Sequence, residues 1–216
     1  MQSSTASFQE LAKGILSVLP KLDSDGRRVS IQLYRLLAKG EPVSNQSLAE
    51  AAQVPPQTID RLLDSWPGVY RNDEGEVVGY WGLAIQDTEH RLDVDGKTLY
   101  TWCAWDTLFI PQILQKTANV ESKCPVTGVP VRLTVGPEGV RASDPVEAVV
   151  SLLVPDPEEF EDNIISSFCH HILFFKSAGV AADWVAQHEG TVIISLDEAF
   201  DLGRLKNEAQ YGDMLK

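Results

Sequence analysis

Leu99-Tyr-Thr-Trp-Cys-Ala-Trp-Asp-Thr-Leu-Phe-Ile-Pro111 is the stretch on which the reading of this chain turns. Its first residues continue an alternating, strand-like pattern that begins after the turn Asp95-Gly96. From Cys103 to about Gln115 the apolar residues Trp105, Leu108, Phe109 and Ile113 suit a helix instead, one that Pro111 must kink or shorten. A strand that runs into a helix predicts an α+β fold here. Helical spacing puts Cys103 and Asp106 on one face, within reach of each other. Cys103 is expected at the helix N-terminus, where free N–H groups and the helix dipole favour a thiolate. The same residues also read as an apolar helix with a buried cysteine and a capping aspartate.

Working back toward the N-terminus, four helices are expected. Phe8, Leu11, Ile15 and Leu19 recur at helical spacing before Pro20, and Val29 to Leu37 forms a second run before Gly40. Ser44 suits an N-cap for Leu48 and Ala52, and Gln57 to Trp66 follows the break at Pro55-Pro56. Val69-Tyr-Arg71 then faces Val77 to Trp81 across Asn72-Asp-Glu-Gly75, a hairpin signal. Three helices and a hairpin predict a winged-helix-like module over residues 1–86, with an N-terminal extension, packed on a mixed or antiparallel β-sheet domain with flanking helices over 87–216. DNA binding does not fit. The recognition-helix position carries Asp60 and Asp64 against Arg61, and the wing tip carries Asp73, Glu74 and Glu76.

Composition points the same way. The 216 residues carry 18 Lys+Arg against 31 Asp+Glu, a net charge of −13, which disfavours nucleic acid and anionic membrane as partners. No apolar run approaches a membrane span and the N-terminus lacks signal-peptide order, so a cytoplasmic location is expected. Three widely spaced cysteines, Cys103, Cys124 and Cys169, do not form a disulfide framework.

Toward the C-terminus, two strands flank the turn Cys124-Pro-Val-Thr-Gly128, where Cys124 reads as a structural thiol. Val146 to Val154 predicts a strand, and Glu158 to Ser167 a short helix. Phe168-Cys-His-His-Ile-Leu-Phe-Phe175 predicts a strand with Cys169 and His171 on one face and His170 on the other. His90 and His188 stand in polar contexts and carry no signal. A helix from Ala182, a strand over Thr191 to Leu196 and a helix from Asp197 to about Tyr211 close the chain.

Three blocks in this order, Leu99-Tyr-Thr-Trp-Cys-Ala-Trp-Asp-Thr-Leu108, Cys124-Pro-Val-Thr-Gly128 and Ser167-Phe-Cys-His-His-Ile-Leu-Phe-Phe175, closely resemble the organomercurial lyases, or alkylmercury lyases, of bacterial mercury resistance. Ala38-Lys-Gly-Glu-Pro-Val-Ser44 and Asp197-Glu-Ala-Phe200 resemble them too, and the likeness runs from about Val29 to about Gly203. The resemblance implies protonolysis of a carbon–mercury bond, giving hydrocarbon and Hg(II). It implies Cys103, Asp106 and Cys169 as the catalytic set and transient mercury ligands, with Cys124 structural. It implies no tightly bound cofactor, free low-molecular-weight thiols as co-substrates, and mercuric reductase as acceptor of Hg(II). His170 departs from the pattern, standing where some relatives have a further Cys.

The chemistry suits these residues. Hg(II) is soft and prefers thiolate. Two thiolates push electron density into the Hg–C bond, and a separate acid must then protonate the carbon. Trp102, Trp105, Phe109 and Phe168 would form a greasy pocket for the organic group, though they equally suit a core. Two other classes fit parts of the pattern: a soft-metal binding or sensing protein without bond cleavage, and a thiol hydrolase, which would need a histidine base that the Cys103 stretch lacks.

Overall fold

The computed structural model describes residues 8–153 and 168–215. Four helices come first: α1 (Phe8–Val18), α2 (Ser24–Leu37), α3 (Asn45–Ala52) and α4 (Pro56–Ser65). Local chemistry sets their starts. The Asp23 carboxylate accepts from the Gly26 amide at 2.7 Å, and Ser44 Oγ accepts from the Ser47 amide at 3.2 Å. α4 opens on Pro56, whose missing N–H costs nothing in a first helical turn.

Strands β1 (Val69–Arg71), β2 (Val77–Tyr80), β3 (Leu83–Ala84), β4 (His90–Val94) and β5 (Lys97–Thr101) follow, then α5 (Asp106–Leu114). Next come β6 (Ala118–Lys123), β7 (Pro130–Gly136), β8 (Gly139–Asp144) and β9 (Val149–Leu153). After residue 168 lie β10 (Phe174–Phe175), α6 (Ala178–Val185), β11 (Thr191–Ser195) and α7 (Leu196–Tyr211). Eight strands form one antiparallel sheet in the order β1-β2-β3-β5-β4-β6-β7-β8; a second, antiparallel sheet has the order β10-β9-β11. The fold is α+β. The hairpin β1–β2 continues into the large sheet through β3, so the pairing runs without a break past residue 86.

α5 sits at the centre. Every residue from Asp106 to Pro111 is buried, and the helix touches α2, β7 and α7. α7 is pinned to it at three points. Trp105 Nε1 donates to Ala199 O at 2.8 Å, and Asn207 Nδ2 donates to Phe109 O at 3.0 Å. Gly203 lies between these two contacts, and a Cβ there would stand 2.6 Å from Phe109 Cβ, so only glycine lets the helices approach this closely. Ser195 and Glu198 form a capping box that starts α7.

Two expected strands differ. Phe168 to Phe175 is not a strand throughout: Cys169–His171 is a 3-10 turn, and only Phe174 and Phe175 pair with β9. The reason lies in where the backbone groups go. Ile172 N donates to Cys169 O at 3.0 Å, Ile172 O accepts from Ala104 N at 3.1 Å, and Leu173 N donates to Ser151 Oγ at 3.0 Å, so the segment is satisfied without a full ladder. The strand expected from Val146 begins at Val149, after an exposed Val146. The expected helix over Glu158 to Ser167 lies outside the described residues.

Candidate active site

Strand β5 delivers the chain to a tight turn, and that turn positions the first thiol. Trp102 N donates to Gly82 O at 3.0 Å, Thr101 Oγ1 donates to Cys103 O at 3.0 Å, and Cys103 N donates to Asp106 Oδ2 at 3.0 Å. The helix starts at Asp106, so Cys103 stands ahead of it rather than in its first turn, which corrects the expectation from spacing. Cys103 and Asp106 still meet, through a side chain that reaches back to the turn as in a helix cap.

The Cys169 segment arrives from the far side. Its 3-10 turn is tied to the Cys103 turn by the Ala104 N to Ile172 O bond, which sets the two sulfurs side by side. Cys103 Sγ, Cys169 Sγ and a carboxylate oxygen of Asp106 all lie within 4.8 Å of one another, and all three residues are buried. Residues far apart in the chain thus converge with space for one soft ion between them. Cys124 is not part of this group; it is buried at the β6–β7 turn, where Gly128 N donates to its carbonyl at 2.8 Å.

The electrostatics follow from burial. Loss of water pushes the Cys103 thiol well above its ordinary value, and its hydrogen bond to Cys169 and the nearby Asp106 carboxylate push it further. A lowered thiolate pKa at Cys103, expected from a helix N-terminus, is therefore not found; the helix starts too late and the site is too dry. The shared S–H···S bond lowers Cys169, while burial and Asp106 raise it, for a net rise. Burial lifts the Asp106 carboxyl to about 6, opposed by hydrogen bonds from Cys103 and by the charge of Lys206. At Cys124, burial raises the thiol, but the Thr127 side chain and neighbouring amides outweigh it and the net shift is downward.

A cavity opens beside the trio. Asp106 and Cys169 line it, as do all four expected aromatics, Trp102, Trp105, Phe109 and Phe168. Trp105 meets Phe109 and Phe168 edge to face, with centroids 5.0 and 6.3 Å away.

A profile of the alkylmercury lyase family, MerB, matches residues 83–206. The alkylmercury lyase of Pseudomonas putida is 42% identical over 175 residues, covering 81% of this chain and 81% of that protein. The Bacillus cereus enzyme of the same name is 40% identical over 173 residues, covering 80% and 78%. The chain belongs to the alkylmercury lyase family. In fold it is similar to the crystal structure of the mercury-bound form of MerB2, with a TM-score of 0.74 at 24% identity, over 96% of this chain and 100% of that one.

Several residues around this lyase-family site had no signal in the sequence. Gly82, with φ +95°, lies directly against Asp106, and a Cβ there would overlap its carboxyl group. Its neighbour Trp81 takes φ +36°, rare for a bulky residue, and its carbonyl accepts from Tyr34 Oη at 2.7 Å. Ile15 and Val18 of α1 wall the cavity, and Lys206 of α7 is buried in it. The histidines fall outside the trio. His170 and His171 occupy the 3-10 turn, and His188 stacks on Trp184 at 3.7 Å. His90, in a polar stretch of sequence, is buried with Nδ1 2.8 Å from Ser122 Oγ.

Proposed function

We propose that this protein cleaves the carbon–mercury bond of organomercurials by protonolysis, with Cys103, Asp106 and Cys169 as its catalytic residues. The observation that carries the reading is the convergence of two buried thiols and one buried carboxyl within 4.8 Å, beside an aromatic-lined cavity. A pair of sulfurs alone would hold mercury; the acid beside them is what bond cleavage needs.

The substrate R–Hg–SR′ arrives on a small thiol. Cys169 lines the cavity and Cys103 lies behind it, so the Cys169 sulfur meets mercury first. The Cys169 sulfur binds mercury and its proton leaves with R′S as R′SH. Cys103 then passes its thiol proton to the Asp106 carboxylate and its sulfur binds, giving R–Hg held by two thiolates. The carbon gains carbanion character, takes the proton from Asp106, and leaves as R–H. Hg(II) remains on the two sulfurs, and Asp106 is again a carboxylate. A carboxyl poised at about 6 is suited to take and give a proton near neutral pH. Two free thiols R′SH, exchanging in turn, remove the mercury as Hg(SR′)2 and return the protons to both cysteines.

Mercuric reductase is the proposed acceptor of Hg(II), and a cytoplasm rich in free thiols the proposed setting. Among the described residues no helix is long and apolar enough to cross a membrane. Residues 1–86 are proposed as a winged-helix-like module that packs on the catalytic portion rather than on DNA. The order α2, α3, α4, β1, β2 supports the likeness, and the exposed Asp60, Asp64, Asp73 and Glu74 oppose a phosphate backbone.

The test is hydrocarbon release. Methylmercury with excess small thiol is mixed with the protein and headspace methane is followed by gas chromatography. Wild type turns over many equivalents, whereas Cys103→Ser, Cys169→Ser and Asp106→Ala release none. Full turnover by Cys169→Ser would eliminate the two-thiolate scheme, and stoichiometric mercury binding without methane would favour a metal-binding protein.

A further inference from the structure

Lys206 is only 2% exposed, a rare state for a lysine, and it lines the same cavity as Asp106 and Cys169. Its position is built. Lys206 Nζ lies 4.0 Å from the centroid of the Phe109 ring and 3.4 Å from Asn207 Oδ1. The Asn207 amide is itself fixed, because its Nδ2 donates to Phe109 O at 3.0 Å and to Gln112 Oε1 at 2.8 Å, which leaves its oxygen for the ammonium. The clamp of α7 on α5 at Ala199 and Gly203 holds this arrangement in place. A long lysine stem normally carries its charge to water, and burying an ammonium is costly unless something offsets it. The cavity walls near it, Ile15, Val18, Trp105, Phe109 and Phe168, carry no charge.

Resting on the reaction proposed above, the charges can be followed through the site. Before mercury binds, the Asp106 carboxylate carries one negative charge. Once Asp106 has taken the thiol proton, it is neutral, and R–Hg bound by two thiolates is an anion. After the carbon takes the proton, mercury on two thiolates is neutral and Asp106 is charged again. One negative charge therefore moves from the carboxylate to the mercury centre and back.

We propose that Lys206 is the counter-charge of this cycle, a positioning residue whose ammonium balances the negative charge wherever it stands. With the ammonium present every state of the cavity is neutral. Without it the dry site holds an unbalanced anion in every state; Asp106 sheds that charge by taking up a proton before and after cleavage, but R–Hg on two thiolates cannot, so the cleavage step carries the loss. A fixed charge aimed at a low-dielectric site acts more strongly than it would in water and needs no reorganisation as the charge moves. Burial brings the Lys206 ammonium down to about 7, opposed by the Asp106 carboxylate, and Lys206 in turn holds the Asp106 carboxyl down, so each group favours the charged form of the other.

The test uses the full chain, phenylmercury and excess small thiol. Lys206→Met keeps the stem and removes the charge. Single-turnover release of benzene is expected to slow by about 100-fold, a loss typical of removing one preorganised electrostatic group. Retention of Hg(II) against a competing thiol is expected to stay at the wild-type level, because the product on two thiolates is neutral, and the melting temperature is expected not to fall. Benzene release at the wild-type rate would overturn the proposal. So would a loss of Hg(II) retention in step with the rate, which marks a structural role. Should Lys206→Met not fold, Lys206→Gln carries the same comparison. Absence of benzene from the wild type would instead overturn the lyase reading, so the two failures are distinguishable.

Discussion

Gly82→Ala tests whether the Asp106 carboxyl must sit where it does. Gly82 has φ +95°, and an added Cβ would overlap the Asp106 carboxyl. Two costs follow. Backbone strain at that φ is worth about 1–3 kcal/mol. Forcing a methyl group into a filled site costs about 1–3 kcal/mol more unless the neighbour moves. Asp106 is the neighbour, so relief comes by pushing its carboxyl away, which stretches the 3.0 Å bond from the Cys103 amide. A displacement of about 1 Å in a reacting group costs on the order of 100-fold in rate. Gly96→Ala is the control: Gly96 also has positive φ, at +76°, but a Cβ there meets nothing within 4 Å. Urea unfolding and headspace methane are measured on both variants. Gly82→Ala is expected to lose about 2–6 kcal/mol of stability if Asp106 holds its place, or on the order of 100-fold in rate if it yields. Gly96→Ala is expected to lose only the backbone term and keep its activity. Wild-type stability and turnover in Gly82→Ala, or an equal loss of turnover in Gly96→Ala, would show that the Asp106 carboxyl is not held by its contact with Gly82.

Two further outcomes are expected. Burial raises the Asp106 carboxyl from an ordinary 3.8 to about 6. A carboxyl raised in the folded state contributes stability that is present below pH 3.8 and lost as pH rises through about 6. Asp106→Asn escapes that loss, so its stability advantage over wild type should grow from pH 4 to pH 7, reaching about 3 kcal/mol at 1.36 kcal/mol per pH unit; a flat difference in urea titrations across this range would contradict it. Cys124→Ser should keep turnover while losing about 1–3 kcal/mol of stability, since it alters a buried, hydrogen-bonded thiol outside the trio. Loss of methane release with unchanged stability would show that Cys124 belongs to the chemistry.

Much of this arrangement is legible in the chain because local rules govern it. Ser44 caps a helix in the usual way, the Asp95-Gly96 turn joins β4 to β5, and β6 alternates buried and exposed residues along its length, whereas α2 starts at Ser24, five residues before the apolar run that marked it. The Cys103–Asp106 pair was readable from spacing even though the helix begins later than expected. The segment at Cys169 was not, because an apolar run satisfies a strand and a buried turn equally well, and the partners that decide, Ala104 and Ser151, are remote in sequence. Lys206 reads as an ordinary surface charge on a terminal helix; only the packing of α7 against α5 at Gly203 turns it inward. Residues of α1 likewise showed an amphipathic pattern with no sign of what it would cover, and Ile15 and Val18 cover the cavity itself. In each case the missing information is tertiary: which face meets which, and at what separation.

Two sulfurs and one acid are proposed to act together on a single mercury atom. This is tested most directly by adding one equivalent of phenylmercury to the wild-type protein, then measuring headspace benzene and the mercury coordination shell by X-ray absorption. One equivalent of benzene per protein is expected, with mercury left bearing two sulfur neighbours and no carbon. Mercury retained with its phenyl group still attached, or bound through one sulfur alone after benzene has left, would contradict it.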